Sequence, residues 1–255
     1  MSKPLILISN DDGYDSRGIR YLVDFVSDLG EVLVCAPYGG RSGYSRSFSA
    51  TPPLYLHRRE PIGDAQVWSC SGTPVDCVKM ALSQIIPDRV PALVIGGINH
   101  GDNSTVNNHY SGTMGVAIEG CLKYIPSIAF STCDYNPNAE LEHLRPWVRK
   151  ITAKVLAEGL PRLTCLNVNF PVADSFKGVR PCRMGLGSWT NEVKKCHHPR
   201  GYDYYWMVGD YRDDEPSATD NDRQALREGY IALTPVTIDV TNYSFLKTMN
   251  DWESL

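Results

Sequence analysis

Apolar and polar positions fall into alternating blocks along the chain. Residues 5–9, LILIS, form a short continuous apolar run, which predicts a buried strand. Residues 16–30, SRGIRYLVDFVSDLG, place Ile19, Leu22, Val23 and Val26 on one face of a helix, with Ser16 as its cap and Gly30 as its stop. The order then repeats. Strands are predicted at 32–37 (VLVCAP), 92–97 (ALVIGG), 127–132 (SIAFST) and 164–170 (TCLNVNF). Helices are predicted at 74–86 (PVDCVKMALSQII), 112–124 (GTMGVAIEGCLKY) and 141–159 (LEHLRPWVRKITAKVLAEG), with Pro146 near the start of the last or interrupting it. Strands that are apolar almost throughout, alternating with helices, predict an α/β fold. Its sheet is Rossmann-like and mostly parallel, with helices on both faces.

The pattern changes after about residue 175. Aromatics gather in GYDYYWMVG (201–209), and GYIALTPVTIDVT (229–241) reads as a strand pair. This predicts a C-terminal β-hairpin or arm extension. The chain is read as a single domain, 1–255, with a core over 1–175 and the extension over 176–255. Aromatic hairpins on a surface suit contacts between subunits.

Composition narrows the function classes. Hydrophobic residues make up 42% of the 255 and charged residues 21%, enough for one large domain with an ordinary core. Net charge is −4, and no Lys/Arg run exceeds two residues, which argues against duplex nucleic acid as a partner. No apolar run reaches the ~18 residues of a membrane span. The start, MSKPLILISNDD, is too short in apolar residues for a secretory signal. A cytoplasmic location follows as the expectation, with the eight cysteines, none in a CxxC pair, as reduced thiols.

In an open α/β sheet, ligands bind beyond the carboxyl ends of the strands. Three predicted strand tips carry oxygen donors beside glycines: Asn10-Asp11-Asp12-Gly13, Pro37-Tyr38-Gly39-Gly40-Arg41-Ser42-Gly43, and Gly97-Ile98-Asn99-His100-Gly101-Asp102-Asn103. Adjacent residues of a strand point to opposite faces, so Asp11 and Asp12 converge only if the chain turns at Gly13. Held close, two carboxylates repel unless a cation or proton joins them. A hard divalent cation answers that need; a turn in which one Asp caps and the other is solvated answers it equally. Ser111-Gly112-Thr113 opens the helix after the third tip, as an anion site or as an ordinary cap. Thr73, Pro74 and Asp76 fit the N-cap, N1 and N3 positions of their helix. His100 and His109 flank the third loop, as phosphate donors or as polar loop residues. There is no GxGxxG after a strand, no P-loop and no GxSxG elbow, and Cys196-His197-His198 lacks partners at zinc-finger spacing.

Five segments taken together, ISNDDG (8–13), APYGGRSGYS (36–45), SGTPVDCV (71–78), GGINHGDN (96–103) and YSGTMGVAIEG (110–120), resemble the SurE family of metal-dependent 5′/3′-nucleotidases in order and spacing. The resemblance implies one divalent metal ion per subunit, Mg²⁺ or Mn²⁺ with Ca²⁺ able to replace it in crystals, held by Asp11, Asp12, Ser42 and Asn99. It implies a phosphate pocket at Asn103 and Ser111-Gly112-Thr113, with Asn10 and Gly43 as further substrate contacts. Asp11 and Asp12 are the candidate catalytic residues, as base or nucleophile. The implied substrates are nucleoside 5′-monophosphates and also 3′-monophosphates. The implied assembly is a homodimer or homotetramer in which the extension is exchanged. Tyr38-Gly39-Gly40 and the stretch 104–109 depart from the family pattern and bear on substrate preference. Two rivals remain: a non-catalytic nucleotide- or phosphate-binding regulatory module, and a haloacid-dehalogenase-like phosphatase, whose DxD spacing the adjacent Asp11 and Asp12 do not match.

Overall fold

The computed structural model describes residues 3–254. Among these residues the chain builds a nine-stranded sheet and two short two-stranded ribbons. The strands are β1 (Leu5–Ser9), β2 (Glu31–Pro37), β3 (Leu56–Ile62), β4 (Ala65–Cys70), β5 (Leu93–His100), β6 (Ser127–Thr132), β7 (Thr164–Phe170), β8 (Val179–Pro181), β9 (Gly187–Thr190), β10 (Val193–His197), β11 (Asp203–Met207), β12 (Asp210–Asp213) and β13 (Ile231–Thr237). The helices are α1 (Arg17–Val26), α2 (Pro74–Met80), α3 (Gly112–Leu122), α4 (Arg145–Glu158), α5 (Asp222–Arg227) and α6 (Tyr243–Leu246).

The main sheet runs β3-β4-β2-β1-β5-β6-β7-β13-β8. All neighbours from β4 to β7 are parallel. That six-stranded centre has the doubly wound order, with its switch point between β1 and β5. Side chains alternate across it. Ile6 and Ile8 of β1 pack with Ile19 and Leu22 of α1 and with Val148 and Ile151 of α4. Leu5 and Leu7 pack on the other face with Cys77 and Val78 of α2 and Val116 of α3. Each such aliphatic side chain, fully buried, contributes roughly 2 kcal/mol.

The expected elements are present, with shorter ends. The helix expected over 74–86 is α2 followed by a π-helical turn, Ala81–Ile85. Pro146 lies in the first turn of α4, where its missing N–H costs nothing. The capping box of Thr73 and Asp76 is complete. Two features differ from the expectation. The segment 229–241 is not a strand pair; it contributes one strand, β13, antiparallel to β7 and parallel to β8. The main sheet therefore extends past residue 175 into the extension. The β3–β4 hairpin, unforeseen in the sequence, forms the opposite edge. The predicted aromatic hairpin is β10–β11, and Tyr205, Trp206 and Met207 on it are exposed. All eight cysteines are free thiols, and no helix of the described residues is long and apolar enough to cross a membrane.

Candidate active site

The loops after β1 and β5 flank the switch point, and the site is built there. Asn10 shapes the first loop. Its Oδ1 accepts the Gly13 N–H at 3.1 Å, and its Nδ2 donates to Gly13 O and to Ser16 Oγ at 3.0 and 2.7 Å. With its amide taken up in this way, Asn10 fixes the turn that presents the two acids.

Asp11 then faces the start of α3. The Thr113 hydroxyl donates to Asp11 Oδ1 at 2.5 Å, and the Gly112 backbone N–H also bonds the carboxylate. A Cβ on Gly112 would lie 2.7 Å from Asp11 Cβ and 3.0 Å from its Oδ2, so only glycine allows this approach. Asp11 is 3% exposed. Burial pushes its pKa up to about 6 against the lowering hydrogen bond from Thr113, and the neighbouring Asp12 charge adds to the rise. Asp12 is half-buried and its pKa is also raised by burial, partly offset by the backbone N–H of His100. Asp12 Oδ2 is sealed from solvent with no hydrogen-bond donor. The two acids do interact, and one buried carboxylate oxygen lacks a partner.

The second loop reaches the same place through its backbone. The Arg41 N–H donates to Asp11 O at 2.6 Å. Ser42 and Gly43 follow on an exposed turn closed by Tyr44 N–H to Arg41 O at 3.2 Å. Farther on, Ser45 Oγ donates to His109 O at 2.5 Å and Ser49 Oγ to Asp76 Oδ2 at 2.7 Å, tying this loop to the starts of α3 and α2. Sequence reasoning left out these anchors, because a serine in a loop carries no signal of its distant partner.

The third loop supplies Asn99, which is buried and donates from Nδ2 to Gly101 O at 2.8 Å. Asn103 is buried in an amide network: its Nδ2 donates to Ser131 Oγ at 2.7 Å, its N–H to Asn169 Oδ1 at 2.9 Å, and its carbonyl accepts from Asn167 Nδ2 at 2.8 Å. Both ring nitrogens of His100 are buried without partners, and burial lowers the pKa of this imidazole. His109 is exposed.

At α3, Ser111 Oγ accepts the Met114 N–H at 3.0 Å, the cap expected of it. The helix start also serves as an anion site, but the anion already there is Asp11. The cap is thus present, and beside it the Gly112 N–H bonds the Asp11 carboxylate. The donors that gather at this sheet edge are carboxylate, amide and hydroxyl oxygens, the set that suits a hard divalent cation. A cation would pair with the orphaned Asp12 Oδ2 and offset the repulsion between the acids.

Comparisons with known proteins agree with this architecture. The SurE family profile, Survival protein SurE, matches residues 6–191. The chain is 50% identical over 250 residues to the 5′-nucleotidase SurE of Phocaeicola vulgatus, covering 98% of this chain and 97% of that one. It is 40% identical over 256 residues to the 5′-nucleotidase SurE of Flavobacterium psychrophilum, covering 99% of both. The crystal structure of the SurE protein from Aquifex aeolicus superposes with a TM-score of 0.84 at 36% identity, covering 98% of this chain and all of that one. With its doubly wound sheet and paired acids at the switch point, the chain belongs to the SurE family.

Proposed function

We propose that this chain is a divalent-cation-dependent nucleotidase that hydrolyses nucleoside 5′-monophosphates, and 3′-monophosphates as well, to nucleoside and phosphate. The relatives named as 5′-nucleotidases, similar over nearly their whole length, support the reaction class. One observation carries the site: a buried and a half-buried carboxylate that interact at the switch point, the second with an oxygen sealed from solvent and unpartnered.

Asp11, Asp12, Asn99 and Ser42 would hold the cation. When bound, it supplies positive charge against the phosphate and acidifies water in the site. Thr113 and Gly112 fix the Asp11 carboxylate, so this ligand is positioned before substrate arrives. The Ser111 and Thr113 backbone N–H groups, which neither Asp11 nor the Ser111 cap takes, would hold equatorial phosphate oxygens. Either acid would act as base or nucleophile during attack on phosphorus, Asp12 being the less buried of the two. The protein is further proposed to act in the cytoplasm and as a homodimer or homotetramer, with the exposed aromatics of β10–β11 at subunit contacts.

Phosphate release from nucleoside 5′- and 3′-monophosphates and from a simple phosphomonoester, in Mg²⁺, Mn²⁺, Ca²⁺ and EDTA, tests this reading. Release from nucleotides that EDTA abolishes is expected. Stoichiometric nucleotide binding with no release in any cation would instead make the protein a regulatory binding module.

A further inference from the structure

The third loop has a second set of anchors, and they come from the extension. Trp189 of β9 donates from Nε1 to Asn107 Oδ1 at 2.9 Å. Asp222, the first residue of α5 and fully buried, accepts the Thr105 N–H on Oδ2 at 2.8 Å. Its other oxygen accepts the Gly185 N–H at 2.9 Å and the Arg223 N–H at 2.8 Å. Asn107 Nδ2 returns to Asp102 O at 3.2 Å, and Asp102 Oδ1 accepts the Ser104 N–H at 2.7 Å. Asn103 therefore lies between two clamps: the amide network of β6 and β7 on one side, and Trp189 with Asp222 on the other.

The second clamp works against a strained backbone. Thr105 has φ 53°, in the left-handed region that a β-branched residue rarely adopts. The Ser104 hydroxyl is buried without a hydrogen-bond partner, while those of Thr105 and Tyr211 meet in the interior, the Tyr211 ring lying edge-on to Trp189 at 5.8 Å. A loop with strained backbone and an unsatisfied buried hydroxyl keeps its shape only if surrounding groups impose it. Here the imposing groups are the Asp222 carboxylate and the Trp189 indole.

We infer that Trp189 and Asp222 are positioning residues for substrate binding, setting the 104–107 loop and through it the placement of Asn103 and the Ser111 turn. This rests on the nucleotidase reading above for its assay, and it makes the extension part of the substrate site instead of an assembly element alone. The effect belongs in KM, because the Asp11 carboxylate is bonded by Thr113 and Gly112 and that of Asp12 by the His100 N–H, none of which lies in the 104–107 loop.

The test is carried by Trp189→Phe, which removes one N–H and keeps an aromatic ring against Tyr211, so folding is preserved where Asp222→Ala risks losing it. Steady-state kinetics on adenosine 5′-monophosphate with Mn²⁺ are measured for wild type, Trp189→Phe, Asn107→Leu, the double variant and Asp222→Asn. AMP affinity is measured by calorimetry in EDTA. Losing one such hydrogen bond should raise KM about three- to tenfold, with kcat within about twofold of wild type. The double variant should be no worse than Asn107→Leu alone, since the Trp189–Asn107 bond is already absent there. Unchanged KM and AMP affinity in every variant, or a loss confined to melting temperature and active fraction, overturns the inference. If wild type binds AMP without turnover and Trp189→Phe weakens that binding, the nucleotidase reading falls and the positioning role stands. If wild type neither binds nor hydrolyses AMP, both fall.

Discussion

Asp11 is a carboxylate in a place that disfavours its charge. Its folded pKa of about 6 lies above the unfolded value near 3.8, so the protonated form favours folding. In chelated protein that contribution is complete below about pH 4 and is lost as pH rises through 6. The difference is on the order of 3 kcal/mol for two pKa units. Denaturation of EDTA-treated protein should show this loss between pH 4 and 7, and Asp11→Asn should lack it. Added Mn²⁺ should restore stability at pH 7 in wild type and not in Asp11→Asn. Asp12→Asn is expected to fold normally and to lose at least ~100-fold in kcat/KM, read by phosphate release at saturating Mn²⁺. The chemical type of these residues was readable from NDDG, but their arrangement was not. The hydroxyl that holds Asp11 comes from Thr113, 102 residues away. The sequence also leaves Ser111 open as cap or anion site, because one side chain can cap while the backbone beside it holds a carboxylate.

Elements were legible where burial on both faces makes the pattern continuous. LILIS is a central strand with parallel neighbours on both sides, which its apolar run predicts directly, and TCLNVNF is buried on both faces between parallel β6 and antiparallel β13. The β3 strand, LHRREPI, escaped because it is an exposed antiparallel edge whose outward positions carry charge. Three-residue β8 is too short for any periodicity, and β13 was read as half of a hairpin because its partner β7 lies more than sixty residues back in the chain. Close helix–strand packing can be tested at Gly18, where an added Cβ would fall 2.0 Å from Ile98 O. Gly18→Ala should cost about 1–3 kcal/mol, and should lower activity too, since Ile98 precedes Asn99, the proposed cation ligand. The capping box of α2 predicts a loss of about 1 kcal/mol for Thr73→Ala by urea denaturation.

At the scale of the whole molecule, a doubly wound sheet brings residues 10–13, 41–43, 99–103 and 111–113 to one edge, and the extension closes over the third of these loops. The exposed aromatics Tyr204, Tyr205 and Trp206 sit on a hairpin that leaves the main sheet. Replacing Tyr205 and Trp206 by Ser should shift the protein toward monomer in light scattering, while a monomeric wild type would remove the assembly proposal. The nucleotidase proposal itself turns on the acids at the switch point. The most direct measurement is phosphate release from adenosine 5′-monophosphate by wild type and Asp12→Asn, each with Mn²⁺ and with EDTA. Cation-bound acids predict release by wild type in Mn²⁺ alone, and almost none from Asp12→Asn in either condition. Equal turnover by the two proteins, or wild-type release that persists in EDTA, would contradict it.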